Sequence, residues 1–448
     1  MLSSCSAASG FSRVAATAAF SVAALLASFS AQAQANDPVV FSFVSVGDSR
    51  QDPTAPDPTT LLAVSPTTGA GVPSKSGSLL PQDAIWLQNT KAWTRIIRTV
   101  QTQKANLLFL NGDMVMGYGR AAVPSAWTSA APTVSGVVGS DLVKFYTQYA
   151  YWRGTVANLF ETGTYVIPVP GNHETQCNSA ASTNTGASAC ASGKHGVVEN
   201  EDAWRANMGD LITDLVTNVR FSNVVGAAAQ NVTGLTAGTA PNNVTDGLTT
   251  SQAQLTYSFD VGTAGGLLHF AIINTDPTGN DSHPPTQWLA ADLDAAKTRG
   301  AAKFFVFGHK PAFTYNYAAS SNGTVAAGGI DVDAVARDAF WSVIARYNAT
   351  YFCGHEHIIH IDQHADPTNT YPGTPYQVLV GSGGSPFEYK LTGSCPNCNE
   401  PVFTNPTDRH YAWAVVRVHQ SGSVSLDAYA FNDSFGPTQT VLSVPSLQ

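Results

Sequence analysis

The sequence predicts an α/β fold in which β-sheets pack on one another with helices outside. Short apolar runs rich in β-branched and aromatic residues recur, each bounded by turn or polar residues. They alternate with helix-spaced segments early in the chain and follow one another in succession late. Strands are expected near Val39 to Val46, Asn106 to Leu110, Tyr165 to Val169, Leu255 to Val261 and Leu267 to Ile273. Further strands are expected near Lys303 to Phe307, Thr350 to Cys353, Gln377 to Val380, Ala412 to Val418 and Val424 to Phe431. Helical spacing falls at Ile85 to Gln103, Asp141 to Glu161, Thr286 to Arg299 and Asp333 to Tyr347. Trp86, Trp93, Trp152 and Trp341 lie in these helices, where packing of helix on sheet accounts for them without a ligand role.

The first 35 residues read as a secretory signal: Arg13, an apolar stretch from Val14 to Phe29, then Ala-Gln-Ala with cleavage after Ala35. The stretch is shorter than the ~20 residues a spanning helix needs, and no later segment is long and apolar enough to span a bilayer. The expected location is therefore periplasmic or secreted. Residues 36–448 are read as a single catalytic domain with long loop insertions at Gln51 to Pro81, Gly117 to Ser140, Thr175 to Gly196 and Gly226 to Ser251. Loops of this length are often functional, and three of the four begin just after a chemical motif, so they are expected to build the substrate entrance.

Removing Arg13 with the signal leaves 21 of the 22 basic residues against 31 acidic ones, a formal charge of −10. That balance argues against nucleic acid or an anionic membrane as the main partner. With Cys5 gone, Cys177, Cys190, Cys353, Cys395 and Cys398 remain. Cys177 with Cys190, and Cys395 with Cys398, are expected as disulfides of an oxidising compartment, and Cys353 as a buried free thiol.

Chemistry gathers at strand ends. In order these give Gly47-Asp48-Ser49-Arg50, Asn111-Gly112-Asp113, Gly171-Asn172-His173-Glu174, Gly308-His309-Lys310-Pro311 and Gly354-His355-Glu356-His357. Loops at the carboxyl ends of strands are where α/β proteins place ligand sites, so the five tips can converge. Carboxylate, amide oxygen and imidazole nitrogen suit Zn, Mn or Fe, and a pair of such ions clamps the attacking and leaving oxygens of a phosphoryl transfer. Each motif alone is weak; the ordered set is the signal.

The set resembles the calcineurin-like metallophosphoesterase family, which includes purple acid phosphatases and many exported bacterial phosphatases, over Asp48 to His357. The resemblance implies a four-layer αββα sandwich of two mixed sheets flanked by helices. It also implies two divalent or trivalent metal ions. Asp113 would bridge them, Asn172, His309 and His355 would complete the second site, and Asp48 and His357 would hold the first. His173 would contact the phosphate and stabilise or protonate the leaving oxygen.

The chain departs from that pattern where the family's Asp-x-His has its His; here the position is Arg50. Purple acid phosphatases lack that His too, but use a Tyr three residues beyond the bridging Asp, where this chain has Met116. The first site is thus short of a ligand and expected to be weak or exchangeable; Tyr118 lies nearby but at the wrong spacing, and His360 is a remote candidate. Arg50 either binds the substrate phosphate, which its planar fork matches, or pairs with a carboxylate and fixes the loop. Glu174 and Glu356 are expected to orient ligands, Asp281 and His283 to be solvated or to line the cleft, and Gly381 to Ser385 to be a strand-end turn or to pass beside the metals.

The expected activity is hydrolysis of a small phosphate ester by metal-activated hydroxide, with monoesters ahead of diesters. A non-catalytic binding protein on the same scaffold, or a hydrolase of non-phosphate esters, are the alternatives.

Overall fold

The computed structural model describes residues 37–50, 90–124, 127, 132–179, 182, 189–212, 231–233, 246–315, 328–385, 410–432 and 435–448. The signal, the loop at Gln51 to Pro81, Trp86 and the Cys395 and Cys398 pair lie outside them, as does most of Gly226 to Ser251.

One sheet runs β15-β14-β13-β1-β2-β3. Its strands are β1 (Val39–Val46), β2 (Leu107–Asn111), β3 (Tyr165–Val169), β13 (His410–His419), β14 (Val424–Asn432) and β15 (Gln439–Val444). The other runs β11-β12-β10-β9-β8-β7-β6. It holds β6 (Asn231–Thr233), β7 (Tyr257–Thr263), β8 (Gly266–Ile272), β9 (Ala301–Phe307), β10 (Thr350–Cys353), β11 (Ile359–Gln363) and β12 (Tyr376–Val380). Both are mixed. Strands β1, β2 and β3 are mutually parallel while β13 runs antiparallel to β1; β8, β9, β10 and β12 are parallel, with β7 and β11 antiparallel at either side.

The period-2 alternation of each strand sorts its side chains into layers. Phe41, Phe43, Leu107 and Phe109 face the second sheet, meeting Phe270, Phe305, Phe307 and Phe352. Val44, Val46, Leu108 and Leu110 turn the other way, onto the helices α1 (Thr90–Gln103), α3 (Asp141–Glu161) and α5 (Val198–Ile212). The outer face of the second sheet packs on α6 (Thr286–Thr298) and α7 (Ala334–Tyr347) through Ile273, Leu289, Leu293, Phe340 and Trp341. Three apolar interfaces therefore separate four layers: helix, sheet, sheet, helix. Phe43 sits at the centre of the inner one, 5.0 to 5.9 Å from the rings of Phe109, Phe270, Phe305, Phe307 and Phe352. Burying each such ring contributes about 1.5–3 kcal/mol.

Several elements go beyond the sequence reading. The loop at Gly117 to Ser140 contains a short helix, α2 (Val134–Val138). A one-turn helix, α4 (Asn172–Thr175), leads into the loop at Thr175 to Gly196, whose two ends pair as a ribbon of β4 (Gln176–Asn178) and β5 (Lys194–Gly196). Cys177 is disulfide-bonded to Cys190, and Cys353 is a buried free thiol. Helix α5 and strands β11 and β15 were not expected either. Among the described residues no helix is long and apolar enough to cross a membrane.

This topology brings the motif-bearing carboxyl ends together. The Gly47 N–H donates to the Val380 carbonyl at 2.7 Å and the Gly383 N–H to the Gly47 carbonyl at 2.9 Å, joining the two sheets at that end.

Candidate metal centre

Three of the predicted ligands leave their strands in the left-handed region: Asp48 at φ 59°, Asp113 at φ 55° and His355 at φ 74°. Side chains other than Gly adopt this conformation at a cost that the surroundings must offset, and such residues cluster at functional sites. For Asp113 the support is visible. Glu174, fully buried, accepts backbone N–H groups from Asp113 (2.9 Å), Met114 (2.8 Å), Val115 (3.1 Å) and Gly171 (2.8 Å). One carboxylate thus ties the exit of β2 to the exit of β3. Gly112, at φ 82°, is required here, because a Cβ on it would lie 2.5 Å from His309 Nδ1.

On one side of Asp113 the donor atoms of Asn172, His309 and His355 come together. Asp113 Oδ1 lies 3.1 Å from His309 Nε2, which is 2.8 Å from Asn172 Oδ1. His355 Nδ1 lies 2.9 Å from that same oxygen and 3.2 Å from His309 Nε2. The far ring nitrogens are anchored on backbone carbonyls, His309 Nδ1 on Asn111 at 2.6 Å and His355 Nε2 on Gly328 at 3.1 Å. A carbonyl only accepts, so those nitrogens carry the hydrogens, and the inward nitrogens are the ones able to bind an ion. Burial, and then His309, hold the His355 ring well below its ordinary pKa, so it is neutral. Its inward nitrogen, the Asn172 carbonyl oxygen and the inward His309 nitrogen lie within 3.2 Å of one another, so one ion can take all three. With ligand bonds of ~2.1 Å, cis donor atoms around a six-coordinate ion are ~3.0 Å apart, close to the spacings found here. The residues fit an ion on this side.

The Asn172 side-chain amide nitrogen donates to the Tyr118 hydroxyl, and the Tyr118 ring packs 3.7 Å from that of His173. Tyr118 therefore supports the Asn172 side of the centre and is not the missing ligand of the other side. His360 is not that ligand either: its Nε2 lies 3.3 Å from Asp362 and its ring packs on Tyr315. Sequence spacing could not place Tyr118, because the chain turns through positive φ at Asp113, Gly117 and Tyr118 in close succession.

On the other side of Asp113 the ligand atoms of Asp48, Asp113 and His357 all lie within 4.8 Å of one another. Arg50 is here as well. Its Nε donates to Asp113 Oδ2 at 3.2 Å, and its Nη2 is 3.4 Å from His357 Nε2. His357 Nε2 is 3.5 Å from Asp48 Oδ1, while Asp48 Oδ2 accepts the His355 N–H at 2.9 Å. Arg50 thus pairs with the Asp113 carboxylate.

Electrostatics follow the packing. Burial pushes the Asp113 carboxyl up, but His173, His309 and Arg50 outweigh it and hold the group well below its ordinary value. Burial lowers the His309 ring, and Asp113 more than reverses this, raising it to about 9. Burial drives Asp48 well up, and burial followed by Arg50 drives His173 well down. Glu174 is pushed up to about 7 by burial and Asp113, against the N–H donors that favour its ionised form.

His173 Nδ1 is held 2.5 Å from the Met116 carbonyl, which turns Nε2 toward the centre, 3.6 Å from Asp113 Oδ2. Glu356 accepts the Tyr315 N–H at 2.9 Å. Gly381 to Ser385 does pass beside the centre, with the Ser385 N–H donating to the Asp48 carbonyl at 2.8 Å. Asp281 accepts from Gly196 N–H and Gln176, and His283 lies 3.2 Å from Asp333, so both stand apart from the centre. Lys310, inside a motif, is buried against Asp276 (2.6 Å) and Ser282 (2.7 Å).

No protein-family model and no curated protein sequence matches the chain. Solved structures do. A purple acid phosphatase, PPD1, from yellow lupin seeds is 10% identical, with 90% of this chain covering 53% of that one at a TM-score of 0.46, so the chain spans about half the length of the lupin enzyme. A dimetal phosphatase from Danio rerio is 10% identical, with 90% of this chain covering all of that one (100%) at a TM-score of 0.39. GAP50, the anchor in the inner membrane complex of Plasmodium, is 11% identical over 91% of this chain and 89% of that one, with a TM-score of 0.41.

Proposed function

We propose that the chain hydrolyses phosphate esters at a metal centre held by Asp113, Asn172, His309 and His355, with monoesters preferred over diesters. The observation that carries this reading is the convergence of the inward His309 and His355 nitrogens on the Asn172 oxygen and Asp113, with both rings fixed by backbone carbonyls. This mixed N and O donor set suits Zn, Mn or Fe. A bound ion there supplies Lewis acidity and lowers the pKa of water from ~16 towards ~7.

The protein's own groups supply the rest. Arg50 and His173 both face Asp113 Oδ2, which puts a fixed positive charge and a ring nitrogen able to take up a proton over the same place. Arg50 binds phosphate oxygens there through its planar fork. A phosphate dianion beside His173 raises the ring's affinity for a proton, which Nε2 then delivers to the leaving oxygen. Asp48 and His357 complete the positive side by holding the loops that carry Arg50 and His355. The product pair is an alcohol and inorganic phosphate. We read residues 36–448 as one exported catalytic domain; the leader-like start and the Cys177–Cys190 disulfide support that placement.

The test is turnover of 4-nitrophenyl phosphate beside bis(4-nitrophenyl) phosphate by the metal-reconstituted chain. Activity on the monoester that disappears with chelator and in His309→Ala is expected. Stoichiometric metal with no turnover of either ester would leave the binding-protein alternative standing instead.

A further inference from the structure

The two sides of Asp113 are not equivalent. On the side of Asp48 and His357, a guanidinium already lies against two of the three residues that could hold an ion there. Arg50 touches two of the three residues of that group, through Asp113 Oδ2 and His357 Nε2. Its side chain is buried, with 8% exposed, so this is an interior contact rather than a surface arm resting on a carboxylate. The backbone is held at both ends: the Arg50 N–H donates to the Asp113 carbonyl at 3.2 Å, and the Arg50 carbonyl accepts from Ser385 Oγ at 3.0 Å.

Arginine keeps its proton at every ordinary pH and is a poor ligand. It already offsets one of the two carboxylates, Asp48 and Asp113. A divalent ion placed among the same three ligand atoms would be next to a like charge in a site with little water to screen it. It would also find one ligand fewer than the family pattern, since neither Tyr118 nor His360 points there.

We propose that the Arg50 guanidinium replaces the first of the two expected ions, so that the chain works with a single ion on the Asn172 side and a built-in organic cation on the other. This rests on the reading of Asp113, Asn172, His309 and His355 as an ion site. Asp113 would then serve both cations, its Oδ2 already on the guanidinium and its Oδ1 beside His309. The guanidinium cannot acidify water, so its contribution is to bind and orient phosphate oxygens while the other side activates the nucleophile.

The experiment is metal stoichiometry of the purified chain, saturated with Mn(II), freed of excess and measured by elemental analysis together with its electron paramagnetic resonance spectrum. The wild type is expected to retain one ion with an uncoupled six-line signal. Arg50→His, which restores the family's ligand, is expected to retain two ions with a coupled signal. Two coupled ions in the wild type would overturn the proposal while leaving the ion site intact. One ion in both proteins would show that Arg50 is not what excludes the second. No ion in a folded wild type would overturn the underlying metal reading itself. Should Arg50→His fail to fold, Arg50→Ala takes its place: a second ion gained on removing the guanidinium is expected, and a single ion in that variant too would overturn the proposal.

Discussion

Replacing Glu174 by Gln should unfasten the centre without touching a proposed ligand. The Glu174 carboxylate accepts two backbone N–H groups on each oxygen, Gly171 and Asp113 on Oε2, Met114 and Val115 on Oε1. Whichever oxygen becomes an amide nitrogen, two N–H groups lose their acceptor and face further N–H groups. Hydrogen bonds to a charged acceptor contribute about 1.5–3 kcal/mol each, so the loss is about 3–6 kcal/mol. Since burial and Asp113 already raise Glu174 to about 7, the ionised form is only partly populated at neutral pH and the lower end applies. For a chain of this length, with about 2 cal/mol/K of unfolding entropy per residue, about 3 kcal/mol lowers Tm by about 3 °C. Calorimetry of metal-free protein reads this, with the exposed Glu161→Gln as control. The variant should also bind metal more weakly, because Asp113 is held in its left-handed conformation by these bonds. A Glu174→Gln protein melting within about 1 °C of wild type and binding metal equally well would refute the account of what positions Asp113.

Tyr118→Phe removes the hydroxyl that meets the Asn172 amide and should weaken ion binding about 10-fold in a competition titration with a chromogenic chelator, in line with other residues that orient ligands. Asn172→Ala, by contrast, should abolish tight binding in the same titration while leaving the far-ultraviolet circular dichroism unchanged. Far from the centre, His269 is buried between Asp260 (2.7 Å) and Asp292 (2.9 Å); burial lowers its pKa but the two carboxylates outweigh it, and the net shift is upward from 6.5. A raised folded pKa means the contribution is fully present below about 6.5 and is lost as pH rises through the folded value. The urea midpoint gap between wild type and His269→Asn should accordingly shrink on going from about pH 6 to pH 9, and a gap that widens would show that the ring is neutral in the fold.

The fold was legible where one physical signal dominated. In β1 Phe41 and Phe43 serve one apolar layer and Val44 and Val46 the other, so the run is mostly hydrophobic, broken only by Ser42 and Ser45, and reads as a strand buried on both faces. Strand β11 failed that test because His360 and Asp362, together with His364 just beyond it, form a polar cluster with Tyr315 that is buried by mutual pairing rather than by apolar character. Helix α5 escaped notice for a related reason. Its inner face includes Asn200, which donates to the Gly119 and Gln176 carbonyls, and Glu201, which accepts from Gln252 and Thr278. Partners so distant in sequence leave no periodic trace. Strand β15, at the sheet's edge and largely exposed, carries too little apolar contrast to stand out.

The centre divides along the same line. Candidate ligands at strand exits are visible as Gly-Asp, Asn-His and His-x-His because the residue type and its place after an apolar run are both local properties. What fixes the ligands is not local: the Gly328 and Asn111 carbonyls that set the imidazole tautomers, and the N–H groups gathered by Glu174, come from segments far apart in the chain. Arg50 joins the two levels. In sequence it is a missing ligand, a defect in an otherwise complete pattern. In the fold the same residue lies between Asp113 and His357, within reach of the atoms a metal would have bridged. An absence read residue by residue thus becomes a substitution of one cation for another, and this is why the count of bound ions, rather than the rate of any one reaction, is the measurement that separates a damaged two-ion site from a site built for one ion and a guanidinium.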